Sequence, residues 1–252
     1  MLEFIIVPFT NVLLFIYNIL GGNFGLAIIV FTILIRLVTY PLNTAQMKSA
    51  KATQELQSNV EWQKIQKKYK NDREKLAQEQ MRIYKEMGIN PLGGCLPMLI
   101  QFPIIIALYW SITRALASTP IELLSFARGI ALPNAADLIP LNSQFLWMNL
   151  GQPERLYLGF LPFGIPVLAI LVMVTSYFQT KMMTPSSGGG NEQGAQMSKM
   201  MNIYMPLLMG YISYIYSAGL ALYFVTSNLA SMAQYLITSR NKAASPGVVK
   251  AK

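Results

Sequence analysis

Long apolar stretches alternate with short polar ones along most of this chain, and several approach the ~20 residues a helix needs to cross a hydrocarbon layer. Residues 1–22 hold the first, interrupted by Glu3, Pro8, Thr10 and Asn11 and closed by Gly21 and Gly22, which predicts an amphipathic helix on the outer membrane interface. A sixth span is the competing reading of that segment. Residues 23–44 form the first span, with Tyr40 near the interface and Pro41 near its end. Over 45–89 the pattern turns Gln-rich and Lys-rich at helical spacing, with a break near Lys70, Asn71 and Asp72, which predicts two helices folded as a cytoplasmic hairpin. A Pro/Gly turn at Asn90 opens the second span, 90–115, whose Pro97 and Pro103 are tolerable where neighbouring helices satisfy the freed carbonyls. Residues 116–158, broken by Pro120, Pro133, Pro140 and Pro153 and carrying Trp147 as an interface anchor, form the external loop. The third span is 159–182, and the Gly/Ser-rich linker 183–198 is flexible by composition. Spans four and five, 199–216 and 219–239, are joined by so short a turn that they must pair antiparallel, and 240–252 is the tail.

The elements define an all-α integral membrane protein with five transmembrane helices, an N-terminal interfacial helix and a cytoplasmic helical hairpin. Composition agrees: 53% of the residues are hydrophobic and 12% charged, against roughly 25% charged in a soluble domain. Charge then orients the helices. The net charge is +9, and ten of the twenty basic residues lie between Lys48 and Lys85, which places that block in the cytoplasm by the positive-inside rule. Five spans put the N-terminus outside and the C-terminal tail, with Arg240, Lys242, Lys250 and Lys252, inside. Cys95 is the only cysteine and histidine is absent, so intrachain disulfides, zinc sites and Cys/His catalytic pairs are excluded. The expected protein is not an enzyme and has no metal or small-molecule cofactor.

One residue breaks the apolar pattern more than any other. Arg36 falls inside the first span, where an arginine at the centre costs at least ~2.5 kcal/mol unless water or a partner receives it. It is expected to face a wet cavity; the alternative is that the side chain snorkels to the cytoplasmic headgroups past Pro41. Thr32 lies one turn earlier on the same face, and Gln101, Gln179, Asn228 and Gln234 sit in other spans. Ordinary helix-to-helix hydrogen bonding accounts for any one of these polar residues alone. No Asp or Glu lies inside a predicted span, which argues against a proton- or sodium-coupled carrier. A basic cavity without carboxylates suits a peptide bearing acidic residues, read by charge and not by sequence. Met197, Met200, Met201, Met205 and Met209 cluster around the fourth span; flexible thioethers suit a surface that accepts many apolar partners, and equally suit plain packing.

Three long motifs carry a resemblance: IRLVTYPLNTAQMKS from Ile35, NPLGGCLPMLIQFPIIIALYW from Asn90 and SAGLALYFVTSNL from Ser217. In that order the chain resembles the YidC-type membrane protein insertases, the family that includes the Oxa and Alb proteins, in their short form without a large external domain. The resemblance implies a hydrophilic groove open to the cytoplasm and closed outward, in a bacterial inner membrane. It places Arg36 at the groove's positive position, Thr32 at a position contacted by substrate, Gln101 and Asn228 in the polar lining, and Phe224 where some relatives carry tyrosine. Phe102, Met205 and Met209 fall on an apolar slide for the incoming segment. Nascent membrane proteins are the implied partners, with the ribosome and a Sec-type translocon as candidates; the tail after Arg240 is short beside those that hold ribosomes. Another class of function compatible with Arg36 is a small-anion channel or carrier, and a third is an assembly scaffold working through the basic loop.

Overall fold

The computed structural model describes residues 3–44, 59–69, 72–88, 96–116, 141–157, 159, 162, 164–183 and 200–243. Outside them lie the start of the expected hairpin over 45–58, Cys95 with the Pro/Gly turn, most of the expected external loop, the Gly/Ser-rich linker and the basic tail. The helices are α1 (Glu3–Ile19), α2 (Phe24–Val38), α3 (Val60–Lys68), α4 (Arg73–Glu86), α5 (Leu96–Ala115), α6 (Val167–Met183), α7 (Met205–Ile215) and α8 (Ala218–Ala243), with a π-helical turn at Met200–Tyr204 leading into α7. A hairpin of two-residue strands, β1 (Gln144–Phe145) and β2 (Met148–Asn149), departs from the all-α expectation. Strands that short carry no alternation for a sequence pattern to reveal.

Helix α8 is the hub. It packs along α2 on one side and α6 on another, touches α5 and α7, and α6 in turn packs along α7. Within α8, Ala218–Thr238 is the one helical stretch among the described residues long and apolar enough to cross a membrane unaided, whereas α1, α2 and α6 are shorter apolar helices. With 15 and 17 residues, α2 and α6 reach roughly 22 and 26 Å at the helical rise. Small residues permit the close approach of α6 and α7: a β-carbon at Gly210 would overlap the Met173 side chain.

Buried hydroxyls in these helices return to their own backbone. Thr10 donates to the Ile6 carbonyl, Thr32 to Ile28, Ser111 to Ala107, Ser213 to Met209 and Ser231 to Ser227, each four residues back. Each side chain thereby fills a spare lone pair on a helical carbonyl, and the Thr10 and Ser111 hydroxyls, 2.8 Å apart, also tie α1 to α5.

Helix α1 packs against α2 and α5 through Ile6, Leu13, Leu14 and Tyr17. Its opposite side is exposed and largely apolar through Phe4, Val12, Phe15 and Ile19, with the exposed polar residues Glu3 and Asn18 at the two ends of the helix. Glu3 at its start pairs with Arg114 in the last turn of α5 at 3.6 Å, while Tyr17 near its end stacks edge-on against Phe24 at the start of α2. The segment 141–157 covers the same ends: Asn142 N–H donates to the Tyr17 hydroxyl, Phe145 lies against Gly25, and the amides of Ala218 and Gly219 donate to the carbonyls of Gln152 and Leu150.

Helices α3 and α4 fold on each other around Trp62 and Ile83, both buried, with Ile65 and Leu76 beside them. Asn59 caps α3 and Asp72 caps α4 through side-chain oxygens that accept first-turn amides. Arg82 on α4 donates to Glu61 across the hairpin and to Glu79 and Glu86 on its own helix, and these carboxylates push its pKa up.

Candidate functional site

Arg36 sits in the last turn of α2, nearer the helix end than the middle. Pro41 has no amide to return to Leu37, and the helix breaks at Thr39 before resuming over 40–44. The guanidinium turns inward. Its Nε donates to the Ser227 hydroxyl at 3.1 Å and Nη2 donates to the same oxygen, so the side chain crosses to α8 and does not follow the helix axis toward the headgroups. A guanidinium carries five N–H donors; among the described residues no carboxylate pairs with this one.

Ser227 and Tyr223 occupy one face of α8, a turn apart. The Tyr223 phenol, fully buried, neighbours Ser227 and accepts from Gln101 Nε2 on α5 at 2.5 Å. Arg36, Ser227, Tyr223 and Gln101 thus join α2, α8 and α5 in one polar chain. One or two turns further along, Gln234 donates to the Arg36 backbone carbonyl at 2.9 Å and accepts from Asn43 at 3.2 Å, fastening α2 to α8 on the same side.

The other expected lining residues are arranged differently. Thr32 is 0% exposed, and its hydroxyl serves the Ile28 carbonyl. Asn228 is buried and turned to α6, donating to Ser176 at 2.8 Å and Thr175 at 3.1 Å, so it joins two helices away from the guanidinium. Phe224 is buried in the main apolar core. Gln179 lies beside Met183 on α6. Phe102, one residue beyond Gln101 on α5, is 61% exposed, while Met205 and Met209 on α7 are half-buried. Tyr109 on α5 and Tyr216, the residue just after α7, stack their rings edge-on at 5.2 Å. Tyr223 and Ser227 escaped the sequence reading because neither is unusual in an apolar helix; their spacing from Asn228 in the third motif was the available signal.

A bundle of apolar helices around one inward-turned arginine, without a carboxylate among its described partners, defines a helical membrane protein with a basic polar cluster between α2 and α8. Residues 15–245 match the family described as 60Kd inner membrane protein, and the chain belongs to that family, in agreement with the resemblance to the YidC, Oxa and Alb proteins. It is similar to Membrane protein insertase YidC of Fusobacterium nucleatum subsp. nucleatum, 37% identical over 220 residues that cover 87% of this chain and 88% of that protein. The protein of the same name from Clostridium tetani is 37% identical over 86% of this chain and 82% of its own length. Membrane protein insertase MisCA of Bacillus subtilis is 33% identical over 92% of this chain and 76% of its own length.

Proposed function

We propose that the chain inserts other proteins into the membrane. The hydrophilic end of a nascent membrane protein enters a groove beside Arg36, while its apolar segment passes into lipid along α5 and α7, over Phe102, Met205 and Met209. The observation that carries this reading is the Arg36 guanidinium, held by Ser227 with no carboxylate among its described partners, which leaves its charge to be answered by an acidic group from the client. The groove lining is Arg36 and Gln101, both partly exposed, held from behind by the buried Ser227 and Tyr223, with Thr32, Phe224 and Asn228 supporting it from the packed side. Partition of the apolar segment drives the process, at ~0.8 kcal/mol per methylene buried, and no covalent step or cofactor is required.

In this placement α2, α5, α6, α7 and α8 span the bilayer, with the α3–α4 hairpin and the C-terminus in the cytoplasm and the N-terminus outside. Both ends of α1 meet ends of α2 and α5 that would lie outside, which favours a helix seated across the outer leaflet over a sixth span. Packing of 141–157 over those ends favours insertion over a small-anion channel, because an ion path would have to cross the buried Met148 and Leu150. The ribosome and a Sec-type translocon are the partners to test on the cytoplasmic side, in a bacterial inner membrane.

A photo-crosslinking residue placed at Gln101, Phe102 or Met205 should capture a stalled single-span nascent chain, and one at the fully buried Val172 should not. Absence of adducts from all three, with the chain shown to be engaged at the ribosome, would refute the path.

A further inference from the structure

The turn joining β1 to β2 consists of Leu146 and Trp147 alone. Two-residue hairpin turns demand positive φ at their first central position, where Gly, Asn or Asp is usual. Leu146 occupies it with φ 56, and its side chain is 73% exposed. In water, backbone and side chain are both at a disadvantage; in lipid the exposed leucine is at home. Trp147 is 50% exposed, but its only polar atom is turned inward: indole N–H donates to Glu154 Oε1 at 2.9 Å. The ring therefore presents hydrocarbon.

The tip is also fixed in height. Glu154 is 6% exposed, and its second carboxylate oxygen accepts the Leu168 amide at 3.0 Å, in the first turn of α6. Next to the turn, Phe145 lies against Gly25 in the first turn of α2, so closely that a β-carbon there would overlap its ring. Leu146 and Trp147 thus stand level with the first turns of two apolar helices. Their flanks, Asn142, Gln144 and Gln152, are polar and exposed.

We propose that the Leu146–Trp147 tip is a lipid-seated wedge, lodged at the boundary between headgroups and acyl chains of the outer leaflet, where tryptophan is favoured. This rests on the membrane placement given above. Lipid fits the tip better than protein does, because two side chains ringed by polar residues fall far short of the ~1,000 Å² that a specific protein interface buries.

The test uses the whole protein with Trp147 as its only tryptophan (Trp62→Phe, Trp110→Phe), in phosphatidylcholine–phosphatidylglycerol nanodiscs. Lipid brominated near the headgroup end of its acyl chains should quench Trp147, and aqueous acrylamide should quench it weakly. Leu146→Gly, which suits the backbone but removes the wedge, should shift the emission to the red and raise acrylamide quenching. Strong acrylamide quenching without bromolipid quenching overturns the proposal, as does insensitivity to Leu146→Gly or shielding from both quenchers, which would mean a protein covers the tip. The companion protein retaining only Trp110, exposed on α5, separates the two failures. Bromolipid quenching of Trp110 but not Trp147 sinks the wedge and spares the membrane placement; quenching of neither sinks both.

Discussion

Replacing Arg36 with lysine, glutamine and glutamate separates its charge from its forked grip on Ser227. Unit charges 4 Å apart attract by about 4 kcal/mol at an effective dielectric of ~20 and by about 1 kcal/mol in bulk water. Arg36 is half-buried, its guanidinium held on one edge by Ser227, so a client carboxylate beside it belongs between those limits and nearer the watery one, at about 1–2 kcal/mol. At 1.4 kcal/mol per tenfold, Arg36→Gln should slow insertion of a client with an acidic tail by roughly 5- to 30-fold. Arg36→Lys keeps the charge and should retain most of the rate, although a point-like ammonium cannot hold Ser227 as the fork does. Arg36→Glu replaces attraction by repulsion and should be the most damaging. The assay is the initial insertion rate in vesicles for an acidic-tailed client and for its counterpart with Asn and Gln in place of Asp and Glu, at low and high salt. Equal rates for the acidic client across all variants would refute the reasoning. So would an equal loss for both clients, since Arg36 would then be a packing residue.

Glu154→Ala leaves the Trp147 indole and the Leu168 amide without their acceptor, and at ~1–3 kcal/mol per stranded donor the melting temperature in detergent should fall clearly; Glu154→Gln, which keeps one acceptor oxygen, should cost about half as much. Gly210→Ala should overpack the contact between α6 and α7 by about 1–3 kcal/mol, and Met173→Ala in the same chain should recover much of that loss, as a melting series on the single and double variants would show. Hydrogen bonding from the Lys75 amide, first among its causes, holds the Asp72 carboxyl below the usual aspartate range. Because the folded-state value is the lower one, the cap's contribution is complete above the ordinary aspartate range and disappears as pH falls through the depressed value. Exchange protection of the first-turn amides of α4, corrected for intrinsic rates, should follow that course in the natural chain and stay flat in Asp72→Asn.

Elements whose identity depends on local pattern were legible in the sequence. Runs such as Phe24–Val38 announce themselves by composition, and the Lys- and Gln-rich stretch shows its break at Asp72 because a helix cap is a local signal. Arg36 stood out as a candidate site because a lone charge in an apolar run must be received by something. What received it was not legible. Serine at 227 and tyrosine at 223 differ little from their neighbours in any one-dimensional pattern, and only the packing of α2 against α8 gives them a role. Asn228, which the resemblance places in the polar lining, donates to two hydroxyls on α6, partners that its place in the sequence did not announce. Glu154 lay in a stretch read as loop, and its burial depends on a two-strand hairpin too short to leave a pattern.

Hydroxyls that close on their own helical carbonyls leave long stretches of each rod electrically self-contained. Two such rods can slip or spread by an ångström or two without stranding a polar atom in oil, whereas rods laced together by side-chain bridges would have to break a bond at every step. Among the described residues, ties between rods are concentrated at a few points, at Thr10 with Ser111, at Gln101 with Tyr223, and around Arg36, Asn228 and Gln234. For the proposed insertion of passengers of unequal girth that division is an advantage, with a few fixed rivets and long seams free to breathe.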